Sequence, residues 1–248
     1  MRESFSLEPI GIVRSCYPDK FGTPRQPGLV PEALAKIHLY PKAQPEESLV
    51  GLGGFSHIWV LFWFHQNKGE RFHAKVHPPR LGGEPLGVFA TRSPHRPNPI
   101  GLSLLEIVSV ESDGIVVKGI DVISGTPVLD IKPYLSEVES IPTATAGWTS
   151  ELDPAEIEVE WTEESLAALN RWATQGRHES LKNLIESTLK LDPRPNVYKG
   201  FEGQESRYRN HHAVRFYDGD VHFHFVSPKK IQILQVIHPF RGLISVVR

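Results

Sequence analysis

The sequence predicts a mainly β protein, with an antiparallel barrel or sandwich over residues 1–142 and a small α+β part over residues 164–248. Three observations predict it. Short apolar runs are punctuated by Gly and Pro, of which the chain holds 20 and 21, and helical periodicity is almost missing before about residue 142. One run, residues 58–64, is apolar throughout and rich in aromatics. Helical spacing emerges only after residue 162, followed by a second set of strand patterns.

Taken in order, residues 5–13 read as a strand bent at Pro9 and Gly11. Residues 15–31 carry Pro18, Gly22, Pro24, Pro27, Gly28 and Pro31 around Arg25 and Gln26, a long loop of the kind that often carries function. A short strand over 35–40 and one or two helical turns over 46–52 follow. The run 58–64, flanked by His57 and His65, is expected to be a strand buried on both faces. Residues 100–110 and 115–122 form a hairpin about Ser112-Asp113-Gly114. In the stretch 128–134, alternation puts Asp130 and Lys132 on one face.

Residues 143–163 lose apolar density and are expected to be an acidic linker or strap; residues 137–164 contain nine carboxylates and no Lys or Arg. Thr162 is placed to cap a helix bearing Leu166, Leu169 and Trp172. A second helix repeats Leu181, Leu184, Ile185, Thr188 and Leu189 and stops at Asp192-Pro193. Strands over 214–217, 221–225 and 231–237 complete the C-terminal part, the first two joined at Asp218-Gly219.

Composition bounds the function. A single cysteine, Cys16, excludes an intrachain disulfide and a cysteine-rich zinc site, and with no secretory pattern an intracellular, cytoplasmic protein is expected. The longest apolar run is too short to cross a bilayer. Net charge is -2, with a mild basic excess after residue 192 that admits a polyanionic partner. Gly51-Leu52-Gly53-Gly54 precedes a strand rather than a helix, so it is no dinucleotide loop. The pairs His211/His212 and His222/His224 lack a third ligand at a familiar spacing, and no metal site is expected.

The chemistry concentrates in residues 91–103, Thr-Arg-Ser-Pro-His-Arg-Pro-Asn-Pro-Ile-Gly-Leu-Ser. Pro94, Pro97 and Pro99 fix their own φ and drive Ser93, Arg96 and Asn98 toward extended geometry. The result is a stiff loop presenting Arg92, His95, Arg96 and Asn98 with little freedom left to lose on binding. A rigid surface turn would have the same composition; its company decides between them.

Pro24-Arg25-Gln26, the apolar strand ending in His65, the proline-rich stretch, and Gly125-Thr126-Pro127 with Asp130-Ile131-Lys132-Pro133-Tyr134 together resemble, in that order, the TsaA-like family, whose bacterial members include a tRNA methyltransferase. The resemblance covers about the first 142 residues, and Leu191-Asp192-Pro193-Arg194-Pro195 with the Tyr198 region resembles the appended domain of the bacterial members. It implies a β-barrel methyltransferase without a Rossmann fold, S-adenosylmethionine as cofactor, and a homodimer with the cofactor pocket close to the subunit contact. The substrate it implies is tRNA, methylated on N6 of threonylcarbamoyladenosine beside the anticodon. Motif positions place Pro24, Arg25, Gln26, His65, Gln66, Arg92 and Leu102 at the cofactor, with Asp130 and Lys132 added for their shared face.

Arg92 is suited to grip the methionyl carboxylate in bidentate fashion. Asp130 and His65 are the candidate proton acceptors. His95, Arg96 and Asn98 serve either to organise the loop or to touch the ligands. In the C-terminal part Arg194, Tyr198, Lys199, Arg207, Tyr208 and Arg209 mix cations with aromatics, as an RNA surface does. The competing readings are a noncatalytic RNA-binding or regulatory module that keeps the barrel, and a metal-dependent hydrolase built on the histidines.

Overall fold

A computed structural model describes residues 6–67, 72–78, 81, 84–151, 157–176, 180–204 and 209–238. The chain divides into two compact units, one of residues 1–16 and 23–154, the other of residues 17–22 and 155–248.

The first unit is a closed antiparallel barrel. Its strands are β1 (Gly11–Ser15), β2 (Leu34–Leu39), β3 (His57–Trp63), β6 (Ile100–Glu111), β7 (Gly114–Lys118) and β8 (Pro127–Pro133), joined in the order β1-β2-β7-β6-β3-β8, with β8 pairing back to β1. Two-residue strands β4 (Lys75–Val76) and β5 (Leu86–Gly87) pair outside it. The barrel is filled by alternate residues, among them Val13, Ile37, Ile58, Val60, Phe62, Leu105, Ile115, Val117 and Val128, all buried. Gly101 lies opposite Phe62, and a Cβ there would overlap the Phe62 ring, so the glycine makes room for the largest side chain of the interior.

The run at residues 58–64 departs from its expected burial. β3 alternates, with Ile58, Val60 and Phe62 inside and Trp59, Leu61 and Trp63 on the outer wall. A barrel strand has an inner and an outer face whatever its composition, so the outward half of an all-apolar run stays on the outside. Trp63 is 37% exposed and Leu102 on the neighbouring strand 49%. Helix α1 (Pro45–Ser48) is a single turn after β2, and α2 (Ser136–Glu139) follows β8. Glu139 accepts hydrogen bonds from Trp59 Nε1 (2.8 Å) and from the Leu135 amide (2.7 Å), tying that strap to the outer wall.

In the second unit, β10 (His211–Phe216), β11 (Gly219–Ser227), β12 (Lys230–Ile237) and β9 (Glu158–Trp161) form a sheet in that order, β9 running parallel to β12. Helices α3 (Glu163–Gly176) and α4 (Leu181–Lys190) pack on it against β12 and β9. Thr162 caps α3, its Oγ1 accepting from the Ser165 amide at 3.2 Å. The stretch 143–163, expected as a linker, therefore contains a strand. Its Glu-Val-Glu-Trp alternation is short and acidic, and Lys230 on β12 balances it by pairing with Glu158 and Glu160.

The loop over residues 15–31 is split as well. Residues 17–22 belong to the second unit, where Tyr17 is fully buried, tilts against Phe216, and shares a 3.0 Å hydrogen bond with Thr188 Oγ1. No helix among the described residues is long and apolar enough to cross a membrane.

Candidate functional site

The proline-rich loop is held largely by its own groups. Arg96 Nη1 donates to the carbonyls of Thr91 (3.2 Å) and Ser93 (3.3 Å), the His95 amide donates to Ser93 Oγ (3.2 Å), and Asn67 Nδ2 donates to the Pro94 carbonyl (3.0 Å). Prolines remove amide donors, so side chains supply what the backbone cannot. Arg96 is thus the loop's organiser, while His95 and Asn98 are exposed. The Pro99 carbonyl accepts from the Phe64 amide at 2.8 Å, fastening the loop's end to the end of β3.

Arg92 reaches out of this frame. Its Nη1 donates to Gln26 Oε1 at 2.7 Å, joining two residues 66 positions apart. The loop bearing Pro24, Arg25 and Gln26 is fixed by the Gly28 amide donating to the Gly119 carbonyl at 2.8 Å. Both glycines have positive φ, and a Cβ on Gly119 would lie 3.1 Å from Gly28 Cα, so the close approach depends on Gly119 lacking one. Pro24 is buried, Gln26 half-buried and Arg25 exposed.

That contact brings in a residue the sequence reading passed over. Asp121, two positions beyond Gly119, accepts a 2.6 Å hydrogen bond from Ser103 Oγ, and Ser103, inside the barrel on β6, is 1% exposed. Burial pushes the Asp121 carboxyl up to about 6, against the opposing pull of Ser103, its own backbone amide and the Arg92 charge. The signal for it was a lone carboxylate in the apolar run Ile120-Asp121-Val122-Ile123, which β-alternation does not explain.

The other expected site residues sit elsewhere. Leu102, Leu61 and Asp130 are cross-strand neighbours on the outer wall, and Leu104, Trp59 and Lys132 form the adjacent row. Asp130 pairs with Lys132 at 2.8 Å, as their shared face requires, and its Oδ1 accepts from the Ile131 amide at 2.9 Å. His65 and Gln66 lie in the turn just past β3. Arg92 and Gln26 are therefore joined directly, with Asp121 and Ser103 beside them, whereas Leu102, Asp130 and Lys132 form a separate outward set.

The protein resembles characterised chains along nearly its whole length. Residues 12–140 match the tRNA-methyltransferase O N-terminal domain and residues 154–239 the TrmO C-terminal domain. The chain belongs to the tRNA-methyltransferase O family. It is 44% identical over 207 residues to the tRNA (adenine(37)-N6)-methyltransferase of Escherichia coli K12, covering 80% of this chain and 86% of that one. It is 42% identical over 232 residues to a Pseudomonas aeruginosa protein provisionally named S-adenosylmethionine-dependent methyltransferase RcsF, covering 93% and 97%. The crystal structure of TrmO from the same organism superposes with a TM-score of 0.78 at 37% identity, covering 96% of this chain and 99% of that one.

In the C-terminal domain of this family member, Arg194 corrects the sequence reading. It is 2% exposed, and its guanidinium forks onto Asp192 (2.9 and 3.2 Å), reaches Glu202 Oε1 (2.7 Å) and lies 3.2 Å from the centroid of the Phe225 ring. A Pro-flanked arginine after a helix looks like surface in sequence; here two carboxylates and an aromatic ring draw it inward. Burial raises Asp192, but Arg194 and Lys199 outweigh it and hold the carboxyl below its ordinary value. Tyr198 is half-buried, and Lys199, paired with Asp192 at 3.2 Å, is exposed, as is Arg209, whose guanidinium lies 4.5 Å from the Phe201 centroid. Arg207 and Tyr208 lie outside the described residues.

Proposed function

We propose that this protein transfers a methyl group from S-adenosylmethionine to N6 of adenine 37 of tRNA, that the base it modifies is threonylcarbamoyladenosine, and that it works as a cytoplasmic homodimer. The S-adenosylmethionine-dependent tRNA methyltransferase activity follows from membership of the family and the names its relatives carry. The observation that carries the site is Arg92, preorganised on Gln26 at the stiff loop.

Its donor set fits the cofactor. Arg92 is an exposed planar fork whose one fixed partner is a neutral amide oxygen, so its positive charge remains available to a carboxylate. The cofactor, when bound, supplies an electrophilic methyl on a sulfonium. The chain's task is then to orient: holding the two reacting atoms in line supplies much of the rate of such a displacement. Pro24, Arg25, Gln26, His65, Gln66, Leu102, Asp130 and Lys132 complete the cofactor set in this reading. The N6 proton is already acidified by the carbamoyl group, so His65 or Asp130 need accept it only weakly.

The homodimer reading rests on the outer wall of β6, β3 and β8. Leu102, Leu104, Trp59, Leu61 and Trp63 form an apolar strip there, and exposed contiguous apolar surface of this kind marks association sites. A second copy would bring the Leu102 and Asp130 rows into an enclosed site. Tyr198, Lys199 and Arg209 supply cations and a stacking surface for tRNA in the C-terminal domain.

The deciding experiment offers the purified protein labelled S-adenosylmethionine and tRNA with or without threonylcarbamoyladenosine. Label is expected only in the modified tRNA; label in neither tRNA would overturn the proposal, and equal label in both would overturn the assignment of the base.

A further inference from the structure

We infer that Asp121 is the residue that receives the α-ammonium group of the cofactor's amino-acid tail, forming with Arg92 a two-charge clamp for that zwitterion. The inference rests on the reading of Arg92 as the cofactor's carboxylate partner.

Asp121 is a half-buried carboxylate. Removing an anion from water is costly, and such groups are retained where a cation or several hydrogen bonds meet them. Asp121 has one hydroxyl, that of Ser103 at 2.6 Å, its own backbone amide, and the field of Arg92. Arg194, in the other unit, shows what full compensation looks like, with its guanidinium shared between two carboxylates. At Asp121 the compensation falls short, so its proton is held up to about pH 6. The site thus favours an added cation.

Position identifies the cation. Arg92 lies within electrostatic reach of Asp121 and turns its Nη1 to Gln26. An α-amino acid presents a carboxylate and an ammonium on one carbon, and a guanidinium beside a carboxylate is the matching pair of opposite sign. The frame is rigid on both sides. Ser103 anchors Asp121 from the barrel interior, and the Gly28–Gly119 hydrogen bond sets the Gln26 loop two residues from it. Asp130, by contrast, has its own cation in Lys132 at 2.8 Å, so it has no comparable need of a second one.

Asp121 acts here as a binding residue, and its signature is selectivity for the amino group rather than affinity alone. The test is calorimetric titration of S-adenosylhomocysteine, which carries the same tail, and of its desamino analogue, with the parent protein, Arg92→Ala and Asp121→Asn. The parent is expected to bind S-adenosylhomocysteine at least about tenfold more tightly than the desamino analogue, a preference of the size a charge-assisted hydrogen bond gives. Asp121→Asn, which keeps an acceptor for Ser103, is expected to lose most of that preference while binding the desamino analogue nearly unchanged.

Equal weakening of both ligands in Asp121→Asn would make its role structural and overturn the inference. A parent protein that binds the two equally overturns it without any variant. If Arg92→Ala leaves S-adenosylhomocysteine binding untouched, the pocket itself is misplaced; if it weakens binding while Asp121→Asn keeps the amino preference, only the clamp fails.

Discussion

Replacing Asp121 with Asn should stabilise the unliganded protein, and by an amount that grows with pH in a defined window. The folded protein holds the Asp121 proton up to about pH 6, whereas an exposed aspartate releases it at its ordinary value of 3.8. Between those limits folding takes up a proton, so the parent loses stability as pH rises, by at most about 1.4 kcal/mol per pH unit. The whole interval sets a ceiling of about 3 kcal/mol, reached above pH 6. Asp121 is only partly enclosed, so about 1–2 kcal/mol is the realistic size after screening by solvent. The variant has no proton to lose there, and any cost of weakening the Ser103 hydrogen bond is a constant offset. Urea unfolding of both proteins at intervals from pH 4 to pH 8, followed by circular dichroism, gives the difference directly. It should rise in favour of Asp121→Asn between pH 4 and about 6 and then level off. A difference that stays flat across pH 4–8 would refute the reasoning, because it would mean that Asp121 is no less content in the fold than in the open chain.

Gly101→Ala should destabilise the barrel by about 1–3 kcal/mol, as overpacking does, because its Cβ would overlap the Phe62 ring; Gly101→Ala with Phe62→Leu should recover part of the loss in thermal unfolding. Leu102→Asp should weaken self-association by about tenfold or more, since a buried leucine contributes about 1.5–3 kcal/mol, and sedimentation at a series of concentrations would show the shift to monomer. Replacing Lys199 and Arg209 together with Ala should lower the dependence of log tRNA affinity on log salt by about 1–2 with cofactor affinity unmoved, and an unchanged slope would take tRNA off that surface.

How much of this was legible in the sequence depends on the range over which each feature is encoded. Most strands of the barrel, the Ser112-Asp113 turn, the Thr162 cap and the apolar face of α4 are local patterns and lie where period and turn chemistry put them, but β1 begins only at Gly11, past the bend at Pro9, and β7 ends at Lys118, short of residue 122. The outward half of β3 was not legible, because a run apolar at every position has no alternation from which to read a face. β9 was hidden by its acids, which Lys230 balances from a strand some 70 residues away in sequence. Asp121 was missed for a related reason. Its surroundings are assembled by Ser103, Arg92 and the Gly28–Gly119 contact, and of these only Gly119 is a neighbour in sequence.

Arg92 and Arg194 show why residue type alone did not sort binding from support, and they make a paired test. Both are arginines in proline-rich stretches, and both were read as ligand-facing. Arg194 donates from each of its three guanidinium nitrogens to carboxylates of its own unit and lays its flat face on Phe225, so its charge is spent internally. Arg92 is exposed and bonded through one nitrogen to a neutral amide, with the Asp121 carboxylate within electrostatic reach. Its charge is left for something else. Lysine at each position keeps the charge but removes the planar fork. At residue 194 this should cost stability, about 1–3 kcal/mol from lost charged hydrogen bonds and stacking, with cofactor affinity unchanged. At residue 92 it should leave unfolding within about 0.5 kcal/mol of the parent and weaken S-adenosylhomocysteine binding by about tenfold through loss of bidentate geometry. Urea unfolding and calorimetry on the two variants separate the roles, and the same response from both would mean that burial does not divide them.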